Sequence, residues 1–287
     1  MINFKAIIGN NLNPKSFLGG LFFHPIKHVY NLLKSHEYRR LVIYNTLYGR
    51  RSRYNDELIK CCGRKLNVPD VASFISMYEE IFINKIYEID SISPRILDLG
   101  ANIGMSILWF KKYYPNSNIV AYEADNKIYK YLKNNVAGYN NVKLHNIAVW
   151  HEDTVLSFFS EGADAGRVDE HSSVSTMSVQ AKDIRNILKE EGPFDYIKMD
   201  IEGAEALVLP ACRGMLADTN YIFCEYHSTE GEEQKLDEIL SLLRDEGFRI
   251  HIQPITISNQ PFLKRSIKVG FDMQLNIFAW KDKSEVA

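Results

Sequence analysis

The segment Asp98-Leu-Gly-Ala-Asn-Ile-Gly104 decides the fold of this 287-residue chain. The apolar run Arg95–Leu99 leads into it and predicts a strand, whereas Ile103–Tyr113 follows it and predicts a helix. A strand, a glycine-rich turn and a helix in that order form a site for a nucleotide-like ligand, because glycine lets the backbone approach a ligand closely.

The sequence after Pro94 repeats this alternation of strand and helix. Helical stretches of about ten residues separate short apolar runs. The runs predicted as strands are Arg95–Leu99, Asn118–Glu123, Val142–Val149, Phe194–Met199, Tyr221–Glu225, Phe248–Gln253 and Met273–Trp280. The pattern predicts an α/β, Rossmann-like fold, with a mostly parallel seven-stranded sheet and helices on both faces.

One stretch departs from this alternation. Thr154–Ser160 and Ser173–Val179 have the pattern of two antiparallel strands, and the loop Glu161–His171 between them is rich in glycine and aspartate. We therefore predict an inserted hairpin near an edge of the fold.

The first part of the chain has a different pattern and a different charge. Apolar residues recur at three- and four-residue spacing over residues 15–60 and again over Val71–Ile86, which predicts a helical N-terminal extension at 1–90 before a main domain at 91–287. Residues 1–70 carry 12 Lys and Arg against 4 Asp and Glu, although the net charge of the whole chain is -2. This basic region either packs on the acidic body or meets an anionic partner.

Composition bounds the class of protein. A hydrophobic share of 46% with 24% charged residues is typical of a soluble globular chain with a sizeable core. The four cysteines contain no C-x-x-C spacing, which disfavours a structural zinc site and favours reduced thiols. The N-terminal segment lacks the pattern of a signal peptide, and no apolar run is long enough to span a membrane, so we expect a cytoplasmic location.

The glycine turn indicates which ligand it binds. A dinucleotide site needs a second glycine where this chain has Asn102, so the phosphate cradle is damaged. Asp98 at the end of the strand suits the ammonium group of a methionine moiety. Glu123, which ends the next predicted strand, suits the ribose hydroxyls. We therefore predict S-adenosylmethionine as the cofactor. The turn residues expected to hold it are Asp98, Gly100, Asn102 and Gly104.

A third strand end completes the predicted cofactor site. The run Leu144-His-Asn-Ile-Ala148 ends where an adenine ring would lie in this fold. Asn146 and the backbone around Ala148 are the predicted adenine contacts.

Acidic residues gather after the fourth and fifth strands. Asp200 and Glu202 follow the run Ile197–Met199, and Glu225 and His227 end the next strand. Carboxylates at a strand end can hold a sulfonium, bind a divalent cation or orient a hydroxyl group. Asp200 and Glu202 are thus candidate catalytic residues, and Asp200 is also a candidate cofactor contact.

His227 is the candidate general base, because imidazole titrates near neutral pH. The alternative is a hydrogen-bonded structural histidine.

Together these residues resemble the FkbM family of methyltransferases. The matching positions run from about Met77 to His227, and they include Asp98–Gly104, Glu123, Asn146–Ala148, Lys198–Glu205 and Glu225–His227. The resemblance implies S-adenosylmethionine-dependent O-methylation of a small molecule or a sugar. It also makes Glu80 a lid or cofactor contact. Asp200 and Glu225 resemble magnesium ligands of catechol-type O-methyltransferases, with no evident third ligand.

Three other functions compete with this one. A nicotinamide-dependent oxidoreductase is disfavoured by Asn102. A nucleic-acid methyltransferase would use the basic N-terminus, but the Asn/Asp-Pro-Pro-aromatic tetrad that holds a flipped base is absent after the fourth strand. A non-catalytic cofactor-binding protein is the third alternative. Residues 1–70 lie outside the resemblance, and we expect them to cap the acceptor pocket or to form a homodimer contact.

Overall fold

The computed structural model describes residues 27–159, 167–168, 177–256, 260–264 and 270–282. A seven-stranded sheet lies at its centre. The strands, numbered along the chain, are β1 Glu57–Cys61, β2 Arg64–Val68, β3 Arg95–Leu99, β4 Asn118–Tyr122, β5 Val142–His145, β6 Ala148–Trp150, β7 Thr154–Phe159, β8 Arg167–Val168, β9 Met177–Asp183, β10 Tyr196–Met199, β11 Tyr221–Thr229, β12 Arg249–Pro254 and β13 Phe271–Trp280.

The central sheet has the strand order β12-β13-β11-β10-β3-β4-β5. The pairs from β11 through β10, β3 and β4 to β5 are parallel. Strand β13 is antiparallel to both of its neighbours, β11 and β12. This arrangement confirms the predicted mostly parallel, seven-stranded α/β sheet.

Helices cover both faces of the sheet. They are α1 His36–Tyr48, α2 Val71–Tyr78, α3 Met105–Tyr113, α4 Asn126–Asn135, α5 Ile184–Glu191, α6 Glu205–Ala211 and α7 Leu236–Asp245. Leu97 and Leu99 of β3 belong to one buried apolar cluster, and Ile96, which precedes them, belongs to another. Since successive side chains of a strand point to opposite faces, the two clusters lie on the two sides of the sheet.

The N-terminal extension is helical in part. Residues 27–34 have helical backbone, and α2 continues into a π-helical turn at Glu79–Ile83. The predicted helix over residues 15–60 is wrong from Gly49 onward, because α1 ends at Tyr48 and β1 and β2 form an antiparallel hairpin from Glu57. Cys62 and Gly63 turn the hairpin with positive φ values of 51° and 78°, which suits the tight turn between twisted strands. Residues 15–26 lie outside the described part of the chain.

One basic residue of the extension binds the body of the protein, and another pairs within the extension. The Arg64 guanidinium donates hydrogen bonds to the carbonyl oxygens of Asn135 at 3.0 Å and Ala137 at 2.6 Å. Arg53 pairs with Asp70 at 2.5 Å, next to the start of α2. Apolar side chains of α1 and α2 share one cluster with those of α3. The contacts of Arg64 favour packing on the body over an anionic partner for that residue, whereas Arg53 is paired within the extension.

A second, smaller sheet contains the predicted insertion. Its strand order is β6-β9-β7-β8, and β7 pairs antiparallel with β9, with Thr154 opposite Ala181. The predicted antiparallel pairing is confirmed, although the strands belong to a four-stranded sheet. Most of the loop Glu161–His171 lies outside the described residues. Within the described residues, no helix has the length and apolar character needed to cross a membrane.

Candidate active site

A cavity of about 380 Å³ opens at the carboxyl ends of β3, β4, β10 and β11. This is the edge at which parallel α/β sheets bind ligands. The predicted site residues that line it are Gly100, Asn102, Glu123, Ala148, Glu80, Asp200, Glu202 and Glu225. The predicted residues outside its lining are Asp98, Gly104, Asn146 and His227.

The glycine turn brings the ends of β3 and β10 into close contact. Gly100 has a φ of +79°, and a Cβ atom there would lie 1.8 Å from the carbonyl oxygen of Asp200. Asn102 also has a positive φ, of 48°. The turn therefore needs glycine at position 100 for steric reasons as well as for its φ.

A buried charge cluster supports this turn from below. Asp98 is fully buried, and the Ser106 hydroxyl donates to its Oδ2 at 2.5 Å. The Lys198 ammonium lies 3.4 Å from Asp98 Oδ1 and 3.4 Å from Asp200 Oδ2, and it donates to the carbonyl oxygen of Gly100 at 2.6 Å. Asp98 thus fixes the turn and does not line the cavity.

Lys198 was not singled out from the sequence, although a lysine within the apolar strand Tyr196–Met199 is a signal of a buried partner. Burial works against its charged form. The carboxylates of Asp200 and Asp98 outweigh that effect and raise the pKa of Lys198 above its ordinary value.

Glu123 lies where the sequence places the ribose contact. Its Oε2 accepts the backbone N–H of Asn102 at 2.8 Å, and its Oε1 accepts that of Asp125 at 2.9 Å. Burial raises the pKa of Glu123 to about 7, against the opposing effect of these two N–H groups. Each oxygen keeps capacity for a further donor, since a carboxylate oxygen has two lone pairs.

Asn146 and Gly104, two of the predicted cofactor contacts, have structural roles. The Asn146 amide donates to the carbonyl oxygens of Glu123 at 2.9 Å and Ala124 at 3.3 Å, so it holds the end of β4 and does not point to the cavity. Gly104 begins α3 with a φ of +91°, and a Cβ atom there would lie 2.8 Å from Val136 Cγ1. Its lack of a side chain lets α3 pack against the end of α4.

His227 does not fit the predicted role of general base. Its side chain is buried behind the cavity wall, with Nδ1 3.5 Å from Glu205 Oε1 and Nε2 3.2 Å from Glu225 Oε1 and 3.6 Å from Glu202 Oε2. Burial alone would lower the pKa of His227, but Glu205 and then Glu225 and Glu202 raise it well above its ordinary value. These carboxylates favour the protonated form of His227, and its side chain does not line the cavity in which an acceptor would lie.

A wall of carboxylates lies in front of His227. Glu80 comes from the π-helical turn, Asp200 and Glu202 from the loop after β10, and Glu225 from β11. Burial, followed by the neighbouring Glu225, raises the pKa of Glu80 to about 7. Burial also raises the pKa values of Glu202 and Glu225.

Glu205 holds the loop that carries this wall. Its carboxylate accepts the backbone N–H of Ile201 at 2.7 Å and of Gly203 at 3.0 Å. Between them Glu202 has a φ of +55°. The side chain of Glu205 is fully buried, so it belongs to the support of the loop.

Asp200, Glu202 and His227 each offer one ligand atom within 4.8 Å of the others. This group does not fit magnesium, because Mg²⁺ takes oxygen ligands and the imidazole here is already shared among three carboxylates. Glu202 places a further carboxylate oxygen beside Asp200, so the pairing of Asp200 with Glu225 as magnesium ligands stays a prediction.

The cavity fits S-adenosylmethionine better than a dinucleotide. Among the described residues that line it, Lys198 is the one cation, and its ammonium is engaged by Asp98, Asp200 and Gly100. A pyrophosphate would thus find no free cation in this lining and would face the carboxylate wall. A ligand with ammonium and sulfonium groups suits the same surroundings.

The chain is similar in sequence to known methyltransferases. The sequence model described as the methyltransferase FkbM domain matches residues 98–250. Methyltransferase 1 of Beauveria bassiana is 26% identical over 207 residues, which cover 62% of this chain and 82% of that protein. The 2-O-methyltransferase NoeI of Sinorhizobium fredii is 24% identical over 172 residues, 52% of this chain and 71% of that one. The crystal structure of methyltransferase FkbM from Methylobacillus flagellatus aligns over 84% of this chain and 59% of that chain, with 15% identity and a TM-score of 0.44.

Proposed function

Because the chain belongs to the FkbM family of methyltransferases, we propose that it methylates a hydroxyl group of a small molecule or a sugar. The family establishes an S-adenosylmethionine-dependent methyltransferase, and we propose the class of its acceptor. The observation that carries it is a single cavity that joins the glycine turn and Glu123 to the carboxylates of Glu80, Asp200, Glu202 and Glu225.

The carboxylate wall supports a hydroxylated acceptor. Each hydroxyl group needs an acceptor for its hydrogen bond, and ionised carboxylates accept without donating. Thr256 and Gln274 add neutral polar groups to the same lining. An anionic acceptor, such as a sugar phosphate, would be repelled by this surface, whereas a neutral polyol would be bound by several hydrogen bonds at once.

The other side of the cavity would hold the cofactor. Gly100 and Asn102 would approach it through their backbone, Glu123 would accept from the ribose hydroxyls, and Ala148 would lie against the adenine. Asp98 and Lys198 would act through the turn that they support. When bound, S-adenosylmethionine supplies an electrophilic methyl group, and the protein contributes orientation of the acceptor and removal of its proton.

Two experiments test the proposal. Calorimetric titration with S-adenosylmethionine, S-adenosylhomocysteine and NAD should show micromolar-range binding of the first two, on the order of 8 kcal/mol, and none of NAD. A screen with methyl-labelled S-adenosylmethionine against neutral sugars, sugar phosphates, hydroxylated metabolites and amines should transfer label to a hydroxylated, uncharged acceptor. Transfer to an amine nitrogen or to an oligonucleotide instead would contradict O-methylation.

A further inference from the structure

Strand β13 carries two buried carboxamides that face the carboxylate wall. Gln274 and Asn276 lie two residues apart, so their side chains emerge on the same face of the strand. The Gln274 amide nitrogen donates to Glu225 Oε1 at 2.9 Å. The Asn276 amide nitrogen donates to Glu80 Oε1 at 3.0 Å. Each carboxamide therefore holds one carboxylate of the cavity.

The strand register explains why Gln274 reaches Glu225. Gln274 lies directly opposite His227 in the antiparallel pair of β13 and β11, and its amide nitrogen is 3.0 Å from His227 Nε2. Glu225 is two residues before His227 on the same strand and the same face. Gln274 and His227 thus converge on a single oxygen, Glu225 Oε1.

This convergence distinguishes Glu225 from the other carboxylates. Both contacts fall on Oε1, which leaves Oε2 for an acceptor in the cavity that Glu225 lines. Asp200 pairs with Lys198 beside the glycine turn, on the cofactor side of the cavity. Glu80 has an amide partner, but no contact of its carboxylate with a cationic side chain is found among the described residues.

We propose that Glu225 is the general base that takes the proton of the acceptor hydroxyl, and that Gln274 is the positioning residue that directs its carboxylate. The inference rests on the proposed O-methylation. The acceptor oxygen forms its bond to the methyl carbon as the carbon–sulfur bond breaks. The sulfur keeps that electron pair, and the hydroxyl proton passes to Glu225. His227, whose Nε2 lies 3.2 Å from Glu225 Oε1, favours the ionised form of Glu225 before the proton is transferred.

The charges around Glu225 determine when it is ionised. Burial, Asp200 and the other wall carboxylates, Glu80 and Glu202, favour its protonated form. His227 and Gln274 favour the ionised form, and Lys198 beside Asp200 adds a positive charge, while Glu205 pairs with His227 from behind. Loss of the Gln274 donor should therefore move the acidic limb of the rate profile to higher pH.

The test compares three variants in the full-length chain. Glu225→Gln keeps the shape of the side chain and removes the base. Gln274→Leu removes the amide donor. Asn276→Leu is the matched control, because it removes the carboxamide that donates to Glu80 and not to Glu225. Each is measured for S-adenosylmethionine binding by calorimetry and for kcat and KM across pH, with an acceptor found in the screen.

We expect Glu225→Gln to bind the cofactor within about threefold of the unmodified chain and to lose ~100-fold or more in kcat. Gln274→Leu should move the acidic limb of the kcat–pH profile to higher pH, and Asn276→Leu should not. If Glu225→Gln does not fold, the acidic limb of the kcat–pH profile of Gln274→Leu still tests the role of Glu225. An undiminished kcat in Glu225→Gln would overturn the inference and leave the proposed function standing. An unchanged acidic limb of the pH–rate profile in Gln274→Leu would do the same. If the unmodified chain binds cofactor but methylates no hydroxyl, the proposed function fails and the inference with it.

Discussion

The backbone N–H of Asn102 donates to Oε2 of Glu123 at 2.8 Å, which joins the glycine turn to the end of the neighbouring strand. Asn102 stands where a dinucleotide site has a glycine, and it thereby holds Glu123, the carboxylate expected to bind the ribose. The glycine turn and the end of β4, which together form the proposed cofactor site, are thus one hydrogen-bonded unit.

Substitution of Glu123 should weaken cofactor binding. Glu123→Gln keeps the size of the side chain but offers one acceptor oxygen in place of two. We expect the Kd for S-adenosylmethionine to rise about 10-fold or more, equivalent to roughly 1.4 kcal/mol. Calorimetry measures it, and Glu152→Gln, at an exposed carboxylate outside the cavity lining, serves as the control. An unchanged Kd in Glu123→Gln would remove Glu123 from the cofactor site.

Gly100→Ala should destabilise the protein and abolish cofactor binding. The new Cβ would meet the Asp200 carbonyl oxygen at 1.8 Å, so the turn must move. Gly63→Ala is the matched control, because Gly63 has nearly the same φ, +78°, and nothing within 4 Å of its Cβ position. We expect the control to lose about 1–2 kcal/mol of unfolding free energy and Gly100→Ala clearly more. Equal losses in urea unfolding would show that the close approach to Asp200 is unimportant.

Neutralisation of Lys198 should cost more stability than a surface substitution. Lys198→Met leaves Asp98 without its countercharge in a fully buried position. We expect a loss of about 3–5 kcal/mol in unfolding free energy. The double variant Lys198→Met with Asp98→Asn should recover part of that loss, since it removes both charges. A double variant no more stable than Lys198→Met would argue against a charge interaction.

The stability of the ligand-free protein should fall as pH rises through neutrality, in part through Glu80. Its pKa in the folded protein, about 7, lies above the ordinary value of 4.5, so folding favours the protonated form. That contribution is complete below pH 4.5 and is lost as pH rises through 7. Between pH 5 and 8 the unfolding free energy of Glu80→Gln should change less than that of the unmodified chain, by on the order of 1 kcal/mol. The exposed neighbour substitution Glu79→Gln is the control, and identical pH slopes in the two variants would contradict the assignment.

Methyl transfer should survive removal of divalent cations. The cluster of Asp200, Glu202 and His227 has its imidazole engaged by carboxylates, and magnesium prefers oxygen ligands. We expect the rate with excess chelator to stay within about twofold of the untreated rate. A rate that collapses with chelator and returns with Mg²⁺ or Mn²⁺ would restore the metal hypothesis.

The sequence by itself predicted the sheet and part of the proposed cofactor side of the cavity, although Asp98, Gly104 and Asn146 do not line it. The positive φ of Gly100, the carboxylate of Glu123 and the alternation of strand and helix are properties of contiguous residues, and parallel strand ends meet at one edge of the sheet. The gathering of Asp200, Glu202 and Glu225 at that edge follows from the same rule.

Only the tertiary structure decided what those groups can do. His227 follows a predicted strand, but the three carboxylates that favour its protonated form come from a loop, a helix and a strand. Gln274 and Asn276 reach the site because β13 inserts antiparallel beside β11, a register that no local pattern encodes. Glu80 arrives from a π-helical turn almost 200 residues before its partner Asn276. Charge state and hydrogen-bond direction depend on such non-local neighbours, so they are fixed only when the chain has folded.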